Sequence, residues 1–283
     1  TDCVPASVKD KRFAVINDDD TRGLELSRLA RDAGLVTLTY GRSQRSDVHP
    51  VRFEGGLNGM EGTLACGSRR IEFESELIGA LNLENILAAA GTAWALGIDP
   101  CDIASGIARL DHVPGRLQAV PNGLGILLVV DYAHTPDALA KVTRALRLLT
   151  KAKLITVFGC GGDRDAGKRP AMGEIAASES DFVVLTSDNP RGEEPLGIIR
   201  DIEEGVRRCG MRRLHEENAD GPTGYWVEPD RRSAIRLGIS LAAPGDVLLV
   251  AGKGHEDYQI QGDYRIHFDD RQVLREEVGS RSV

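Results

Sequence analysis

The residues of this chain best suited to chemistry follow short apolar runs. In stretch 181–194 (DFVVLTSDNPRGEE), a β-branched run of the kind buried in parallel sheets ends in Asp188, Asn189, Pro190 and Arg191. Proline fixes its own φ and biases the preceding residue toward an extended backbone, so this polar tip is expected to be rigid. A carboxylate, an amide and a guanidinium are thereby presented together.

Three further apolar runs end in the same way. They lead into 131–137 (DYAHTPD), 159–165 (GCGGDRD) and 252–256 (GKGHE). One polar loop after a strand would mean little, because loops are generally polar and exposed. Four such ends, two of them rich in glycine, predict a ligand crevice at the carboxyl ends of strands in an α/β sheet.

The charges in these four loops indicate what the crevice could bind. Arg164 and Arg191 offer forked donors for a carboxylate or a phosphate, and Asp188 and Glu256 offer acceptors for an ammonium group. A site with both charges suits a zwitterion such as an amino acid better than a purely anionic ligand. The alternative is that these charges pair with one another and only hold the loops in place.

One glycine-rich stretch imitates a nucleotide-binding motif. Residues 162–168 (GDRDAGK) have the glycine and lysine spacing of a P-loop, but Arg169 stands where the Mg²⁺-binding Ser or Thr is required. Asp163 and Asp165 would also repel phosphate. We therefore do not interpret this stretch as a nucleoside triphosphate site, and the motif GxxxxGK[ST] occurs nowhere in the 283 residues.

Two further pairs of residues remain ambiguous from spacing alone. Asp131 and His134 stand just before a predicted helix, so they could form its N-cap region or could face a nucleotide. Asn82 and Asn85 share one face of an alanine-rich helix, where asparagine is unfavourable. They could make a polar contact across a domain interface or belong to a buried hydrogen-bond network.

The elements that must position these residues fall into two parts, 1–111 and 112–283. The first part predicts an αβ unit, three short antiparallel strands and two helices. The second alternates strands with helices, which predicts a doubly wound, Rossmann-like parallel sheet in an α/β protein. Its strands are expected near 125–130, 154–158, 182–186 and 247–251, its helices near 136–149, 170–178, 196–208, 231–241 and 270–278, and an edge strand near 264–268.

Composition excludes several classes of protein. The formal charge is −8 with both signs interspersed, which argues against a general nucleic-acid binder. The five cysteines contain no CxxC pair, so neither a zinc cluster nor a disulfide framework is indicated. No apolar run is long enough for membrane insertion. We expect a cytoplasmic protein.

Seven segments together resemble one family. The chain is similar to the Mur ligases of peptidoglycan synthesis, most closely to those that add meso-diaminopimelate to UDP-N-acetylmuramoyl-L-alanyl-D-glutamate. The matching segments, in order, are INDDD (16–20), LNLENILAAA (81–90), HVPGRLQ (112–118), VDYAHTPDAL (130–139), FGCGGDRDAGKRPAMG (158–173), SDNPRGEEP (187–195) and AGKGHEDYQ (251–259).

The resemblance implies roles for individual residues. It implies that the DNPR tip recognises diaminopimelate, since lysine-adding relatives differ there. The residues implied to hold the incoming amino acid are Arg164, Asp188, Asn189, Pro190, Arg191, Gly252 and Glu256; those implied to contact ATP where two domains meet are Asn85, Arg116, Asp131 and His134. In the family, ATP phosphorylates the D-glutamyl carboxylate, Mg²⁺ neutralises charge, and the amine attacks the acyl phosphate.

One departure from the family limits these expectations. Its members carry a UDP-sugar domain, a P-loop and a carbamylated lysine that binds metal, and these segments are absent here. Residues 1–111 are thus expected to be the later part of the central ATP-binding domain, and 112–283 a complete amino-acid-binding domain.

We expect no catalytic residue and no metal ligand in this chain, with ATP and Mg²⁺ needing the absent segments for full binding. The hypothesis is that the chain is a truncated ligase, inactive alone; the alternatives are a detached amino-acid-binding module and an L-lysine-adding Mur ligase.

Overall fold

Residues 12–215 and 222–281 are described by the computed structural model of the protein. Contacts group the chain into two units, Thr1–Asp111 and His112–Val283. Which functional domains these units represent stays a prediction. Among the described residues, no helix combines the length and the apolar character needed to cross a membrane.

The first unit contains one mixed sheet with the strand order β1-β2-β3-β4-β5. The strands are parallel from β1 to β3 and antiparallel from β3 to β5. Its strands are β1 (Phe13–Asn17), β2 (Val36–Tyr40), β3 (Val48–Gly56), β4 (Gly59–Cys66) and β5 (Arg69–Ser75), and its helices are α1 (Gly23–Asp32), α2 (Ala80–Ala95) and α3 (Pro100–Ala108).

The core of this unit forms where α2 packs on the sheet. Leu83, Ile86 and Leu87 lie on one side of α2, at the spacing that places side chains on one helix face, and pack with buried residues of β3 to β5. Helix α3 begins at Pro100, after Asp99 has capped it by accepting a hydrogen bond from the Cys101 backbone N–H.

The second unit is built on a six-stranded sheet with the order β10-β9-β8-β11-β7-β6. All neighbours are parallel except β6, which is antiparallel to β7. The late strand β11 therefore lies between β7 and β8, which precede it in the chain. The strands are β6 (Gln118–Val120), β7 (Leu127–Asp131), β8 (Leu154–Phe158), β9 (Phe182–Leu185), β10 (Gly224–Val227) and β11 (Val247–Ala251).

Helices pack against this sheet in two groups. Helices α7 (Arg231–Leu241) and α8 (Asp270–Arg281) share a core with alternate residues of the central strands, among them Val157 and Leu248. Helices α4 (Pro136–Leu149), α5 (Lys168–Glu179) and α6 (Pro195–Arg208) pack on one another and on the same sheet. Every residue of β8, β9 and β11 is buried, as expected for strands covered on both faces. The predicted α/β class with a parallel sheet is confirmed.

The structure differs from the predicted elements at the end of the chain. The segment predicted as an edge strand near 264–268 is β13 (Tyr264–His267), and it pairs with β12 (Tyr258–Gln261) in a separate two-stranded ribbon. All four residues of β13 are exposed, so no apolar face ties this strand to the main sheet. The short strands β6, β10 and β12 are too brief to give a periodic signal in the sequence.

Candidate functional site

The four polar strand ends meet at one edge of the second sheet. Strands β9, β8, β11 and β7 are consecutive neighbours and mutually parallel, so their carboxyl ends point the same way. This edge is where open α/β sheets bind ligands. The loops after β8, β9 and β11 contact one another directly, as the following distances show.

A buried lysine joins the loop after β9 to the loop after β11. Lys253 has no exposed side-chain surface, and its Nζ lies 3.5 Å from Asp188 Oδ1, 3.2 Å from Asn189 Oδ1 and 3.3 Å from Glu256 Oε2. Asn189 Nδ2 also donates to Glu256 Oε2 over 3.1 Å. Part of the charge in the crevice is therefore paired internally, as the alternative interpretation of the sequence expected.

The pairing leaves one oxygen of each carboxylate unused. Within the described ranges, Asp188 Oδ2 and Glu256 Oε1 have no hydrogen-bond partner. Gly252, which has φ of 114°, leaves room beside the first of these atoms: a Cβ on this glycine would lie 3.7 Å from Asp188 Oδ2. An ammonium group could therefore be accepted here.

The DNPR tip adopts a backbone conformation that is unusual for its last residue. Arg191 has φ of 52°, in the left-handed region that non-glycine residues rarely occupy. Its N–H donates to Ile260 O over 3.1 Å, and its carbonyl accepts from Gly262 N over 2.7 Å. The β12–β13 ribbon thus holds the tip in place, and backbone strain of this kind is concentrated at functional sites.

The two predicted anion-binding arginines flank the loop after β8. A Cβ on Gly161 would lie 2.9 Å from Arg191 Nη1 and 3.8 Å from Arg164 Cγ. Arg191 Nη1 donates to Gly162 O over 2.9 Å, and the exposed Arg164 donates to Asp163 O over 3.1 Å. No ion pair in the part of the chain that the structure describes involves either guanidinium. Both can still pair with a carboxylate ligand.

The glycine-rich stretch 162–168 binds the DNPR tip through its backbone. Gly162 N donates to Asn189 O over 2.9 Å, Asp163 N donates to Glu193 Oε1 over 2.6 Å, and Gly167 N donates to Asp165 Oδ1 over 2.9 Å. N–H groups that would cradle a phosphate in a P-loop are thus already used.

Arg169 stands at the position that departs from the P-loop pattern. Its side chain forms ion pairs that stabilise the glycine-rich stretch and the segment after the DNPR tip. Its buried guanidinium donates to Glu193 Oε1 over 2.7 Å and to Asp201 Oδ2 over 2.9 Å. Arg169, together with the Asp163 N–H, holds the pKa of the Glu193 carboxyl below its usual value. The arginine therefore secures the segment that follows the tip.

A second buried cation ties β9 to β11 across the intervening strand β8. Arg231 is fully buried and forms a bidentate pair with Asp270, with both nitrogen–oxygen distances at 2.8 Å. The same guanidinium donates to Ser187 O over 3.2 Å and to Ala251 O over 3.0 Å. These carbonyls directly precede Asp188 and Gly252, so Arg231 fixes the spacing of two site loops.

The cysteine of the GCGGD loop is chemically inert. Cys160 is buried, with its Sγ 3.7 Å from Met172 Sδ. Burial raises the pKa of its thiol to about 12. At neutral pH it carries no thiolate and cannot act as a nucleophile.

Three of the residues linked to ATP surround Tyr132 at the end of β7. The Arg116 guanidinium lies 4.9 Å from the centre of the Tyr132 ring, and the ring centres of Tyr132 and His134 are 4.5 Å apart. His134 Nδ1–H donates to Tyr132 O over 2.9 Å, which leaves Nε2 available. Asp131 is not the N-cap of α4, because Thr135 caps that helix.

Asp131 is held by the backbone on both sides. Its Oδ2 accepts from Leu117 N over 2.7 Å and its Oδ1 from Ala133 N over 2.8 Å. Burial raises the pKa of this carboxyl above its usual value, although the two N–H groups and the Arg116 guanidinium partly offset the rise. Asp131 is thus a fixed acceptor at the edge of the sheet.

The two asparagines of α2 behave differently from one another. Asn82 is buried and donates to Ile78 O over 2.9 Å, as in the structural alternative. Asn85 is exposed and donates to Asn82 Oδ1 over 3.2 Å. Asn85 lies in the first unit, apart in the chain from the other residues linked to ATP.

Within 12–215 and 222–281, no group of three His, Cys, Asp or Glu side chains is arranged to hold a metal ion.

Sequence reasoning gave no role to several contributors to this site. Lys253 and Tyr132 lie within the segments 251–259 and 130–139 that carry the family resemblance, but neither was assigned a contact. The Arg231–Asp270 pair lies outside those segments. Gln259, whose Nε2 donates to Asp188 O over 2.7 Å, was likewise not singled out.

Comparisons with known protein families cover both units. The profile of the Mur ligase middle domain matches residues 5–93. The profile described as Mur ligase, glutamate ligase domain, matches residues 115–254. Both matches extend over long segments, so they are independent of the role that we assign to any single side chain.

Several curated relatives are similar along nearly the whole chain. A protein of Geobacter metallireducens named UDP-N-acetylmuramoyl-L-alanyl-D-glutamate--2,6-diaminopimelate ligase is 48% identical over 269 residues, covering 94% of this chain and 52% of that protein. One of Solibacter usitatus with the same name is 47% identical over 266 residues, covering 94% and 51%. The chain thus spans about half the length of these relatives.

Solved structures of ligases are also similar to this chain. A structure described as that of a UDP-N-acetylmuramoyl-L-alanyl-D-glutamate--2,6-diaminopimelate ligase has a TM-score of 0.65 at 35% identity, covering 96% of this chain and 54% of the other. The MurF ligase of Thermotoga maritima in complex with ADP has a TM-score of 0.61 at 19% identity, covering 96% and 55%. The latter likeness concerns the fold alone.

Proposed function

Since the chain belongs to the Mur ligase family, we propose that it forms part of an ATP-dependent ligase that adds meso-diaminopimelate to UDP-N-acetylmuramoyl-L-alanyl-D-glutamate through an acyl phosphate. Relatives at 47–48% identity carry the name of that ligase. In this proposal residues 112–283 bind the amino acid, and residues 1–111 belong to the central ATP-binding domain.

The observation that carries the proposal is that one sheet edge presents two arginines without a carboxylate partner beside two carboxylates that each keep one oxygen free of the pairing with Lys253. Arg191 and Arg164 have no carboxylate partner among the described residues, and Asp188 Oδ2 and Glu256 Oε1 have no donor there. Each end of diaminopimelate carries an ammonium and a carboxylate on one carbon. One end would satisfy the arginines and the free oxygens together, leaving the amine at the other end to attack the activated carboxylate.

The same geometry would discriminate against L-lysine added through its α-amine. In that orientation the side-chain end of lysine meets the site, and because it carries an ammonium but no carboxylate, Arg191 would remain partly desolvated and without its anion. Pro190 and the backbone bonds to Ile260 and Gly262 fix the backbone of Arg191, and the donation from Arg191 Nη1 to Gly162 O holds the guanidinium beside the loop after β8.

The residues linked to ATP fit a nucleotide in their chemistry. Arg116 is exposed and has no ion pair in the described part of the chain, and His134 keeps Nε2 available. When bound, ATP supplies the phosphoryl group that activates the carboxylate, with Mg²⁺ balancing its charge. Arg116 would neutralise part of a phosphate charge, while Asp131 would orient a polar group of the nucleotide; the role implied for Asn85, in the first unit, stays a prediction. No residue of this chain is assigned to Mg²⁺.

Titration calorimetry of this chain with meso-diaminopimelate and with L-lysine tests the amino-acid site. We expect binding of diaminopimelate and no measurable binding of lysine. Arg191→Ala should weaken binding of diaminopimelate by roughly 10- to 100-fold, since a charge-assisted hydrogen bond is lost. Arg200→Ala is the matched control, because Arg200 is an exposed arginine of α6 whose one ion pair among the described residues is with Glu194. Equal binding of both ligands would contradict the role given to the DNPR tip.

We also expect the 283 residues alone to turn over no ATP. They contain no GxxxxGK[ST] motif, and the family's chemistry depends on that loop. The measurement is phosphate release in the presence of both proposed substrates and Mg²⁺, with a full-length relative as positive control. Turnover above background by the isolated chain would refute this expectation. Binding of diaminopimelate without turnover is also what a detached binding module would show.

A further inference from the structure

Lys253 is a fully buried cation of the candidate site. Its side chain has no exposed surface, and burying an unpaired ammonium group is costly. The three oxygens around Nζ come from Asp188, Asn189 and Glu256, so each of its three N–H donors can have an acceptor. The Tyr258 ring lies 5.4 Å from the same nitrogen.

The cluster has a charge balance that concerns the ligand. Two carboxylates and one ammonium leave a net charge of −1 around Lys253. Without the cation, Asp188 and Glu256 would repel each other within a desolvated pocket. With it, each turns one oxygen inward to Nζ, and the other oxygens, Asp188 Oδ2 and Glu256 Oε1, remain without donors among the described residues.

We propose that Lys253 is a positioning residue that sets the ammonium-binding subsite of the amino-acid site. It holds the carboxylates of Asp188 and Glu256 so that their outer oxygens together receive one ammonium group. The net charge of −1 that remains matches a single such group. This inference rests on the proposed function, and it adds a residue that does not itself touch the ligand.

The geometry favours this role over a purely structural one. A pair buried for stability alone is often no better than apolar residues of the same volume. Lys253 instead joins two loops that carry the acceptors, and Asn189 is fixed between them by its own bonds to Glu256 Oε2 and from Ile260 N. A guanidinium could not replace the ammonium here, because its donors lie in one plane.

Comparing two ligands isolates the ammonium subsite. Pimelate keeps both carboxylates of diaminopimelate but lacks both ammonium groups. We expect the unsubstituted chain to prefer meso-diaminopimelate by roughly 100-fold or more, and Lys253→Met to reduce that preference to about tenfold or less by weakening diaminopimelate binding. Lys151→Met, at an exposed loop lysine, is the control and should keep the full preference.

The ratio of affinities separates positioning from general damage. If Lys253→Met weakens both ligands equally and the preference persists, the proposal is overturned. If the methionine variant does not fold, Lys253→Gln is measured in its place, because its shorter, uncharged amide has only two N–H donors and cannot replace the ammonium group among the three oxygens around Nζ. A preference that survives in the folded glutamine variant overturns the proposal as well.

Ligand-free crystal structures of the unsubstituted chain and of the Lys253 variant test the positioning role independently of the proposed function. Binding of neither ligand by the unsubstituted chain would contradict the proposed function for this chain. In the variant, we expect the Glu256 carboxylate to turn away from Asp188, with loss of the hydrogen bond from Asn189 Nδ2. If both carboxylates keep their positions without the lysine, the positioning role is refuted whatever the ligand results are.

Discussion

Replacing Asp270 by alanine is expected to lower the free energy of unfolding of the second unit by about 3–5 kcal/mol. The substitution removes the bidentate partner of Arg231 and leaves a fully buried guanidinium without its counter-charge. The measurement is urea denaturation followed by the fluorescence of Trp226 in a Trp94→Phe background, so that only the second unit is reported.

The neighbouring arginine of α7 provides the control for this prediction. Arg232 pairs with Glu276 over 2.7 Å, but the two side chains are 40% and 43% exposed. Glu276→Ala should leave the unfolding midpoint nearly unchanged, because water screens such a pair. If the two alanine variants lose the same stability, burial is not what makes the Asp270 pair important.

Replacing both Arg231 and Asp270 by apolar residues tests whether an unpaired buried charge is what lowers the stability of the Asp270→Ala variant. The double variant Arg231→Met with Asp270→Leu carries no buried charge at these two positions, so it should recover a substantial part of the stability that Asp270→Ala loses. Recovery should remain incomplete, because Ser187 O and Ala251 O lose the donor that Arg231 supplies. A double variant as unstable as the single one would contradict this explanation.

Gly162→Ala is expected to damage the site and the fold together. A Cβ at this position would lie 1.9 Å from Pro190 O, so the backbone of the DNPR tip must move. Overpacking of this kind typically costs about 1–3 kcal/mol. Displacing the tip should also weaken binding of meso-diaminopimelate by more than about tenfold, as expected when a charge-assisted hydrogen bond is lost.

A second glycine substitution separates the steric effect from the general effect of adding a methyl group. A Cβ on Gly123 would meet no atom within 4 Å, so Gly123→Ala should leave stability and binding close to those of the unsubstituted chain. Both quantities are measured by urea denaturation and calorimetry. If Gly162→Ala behaves like Gly123→Ala, the tight packing of the two loops is not required for binding.

The elements that sequence reasoning placed well are those with a strong local signal. Strands β8 and β11 are continuous apolar runs, and both were predicted with their observed bounds. Helix α4 was also placed correctly, since Thr135 and Pro136 mark its start. The short strands β6 and β10 were missed, because three or four residues do not establish a period.

The interior of the site depends on contacts that no local pattern contains. Lys253 and Asp188 are 65 residues apart, and Arg231 and Asp270 are 39 apart. Their pairing follows from the order of the strands, which was not predicted. Motifs in the sequence identified the residues of the crevice loops. The contacts of the buried cations Lys253 and Arg231 could be identified only from the assembled sheet.

The central position of β11 has a consequence for how the second unit is made. Strands β7 and β8 follow one another in the chain but do not pair, because β11, which begins at Val247, lies between them. On a ribosome, the two halves of the sheet cannot join until synthesis has passed β11. Such non-local pairing slows folding and leaves unpaired strand edges exposed meanwhile. The candidate site, which takes Gly252 and Glu256 from the loop after β11, is therefore among the last features of this unit to form.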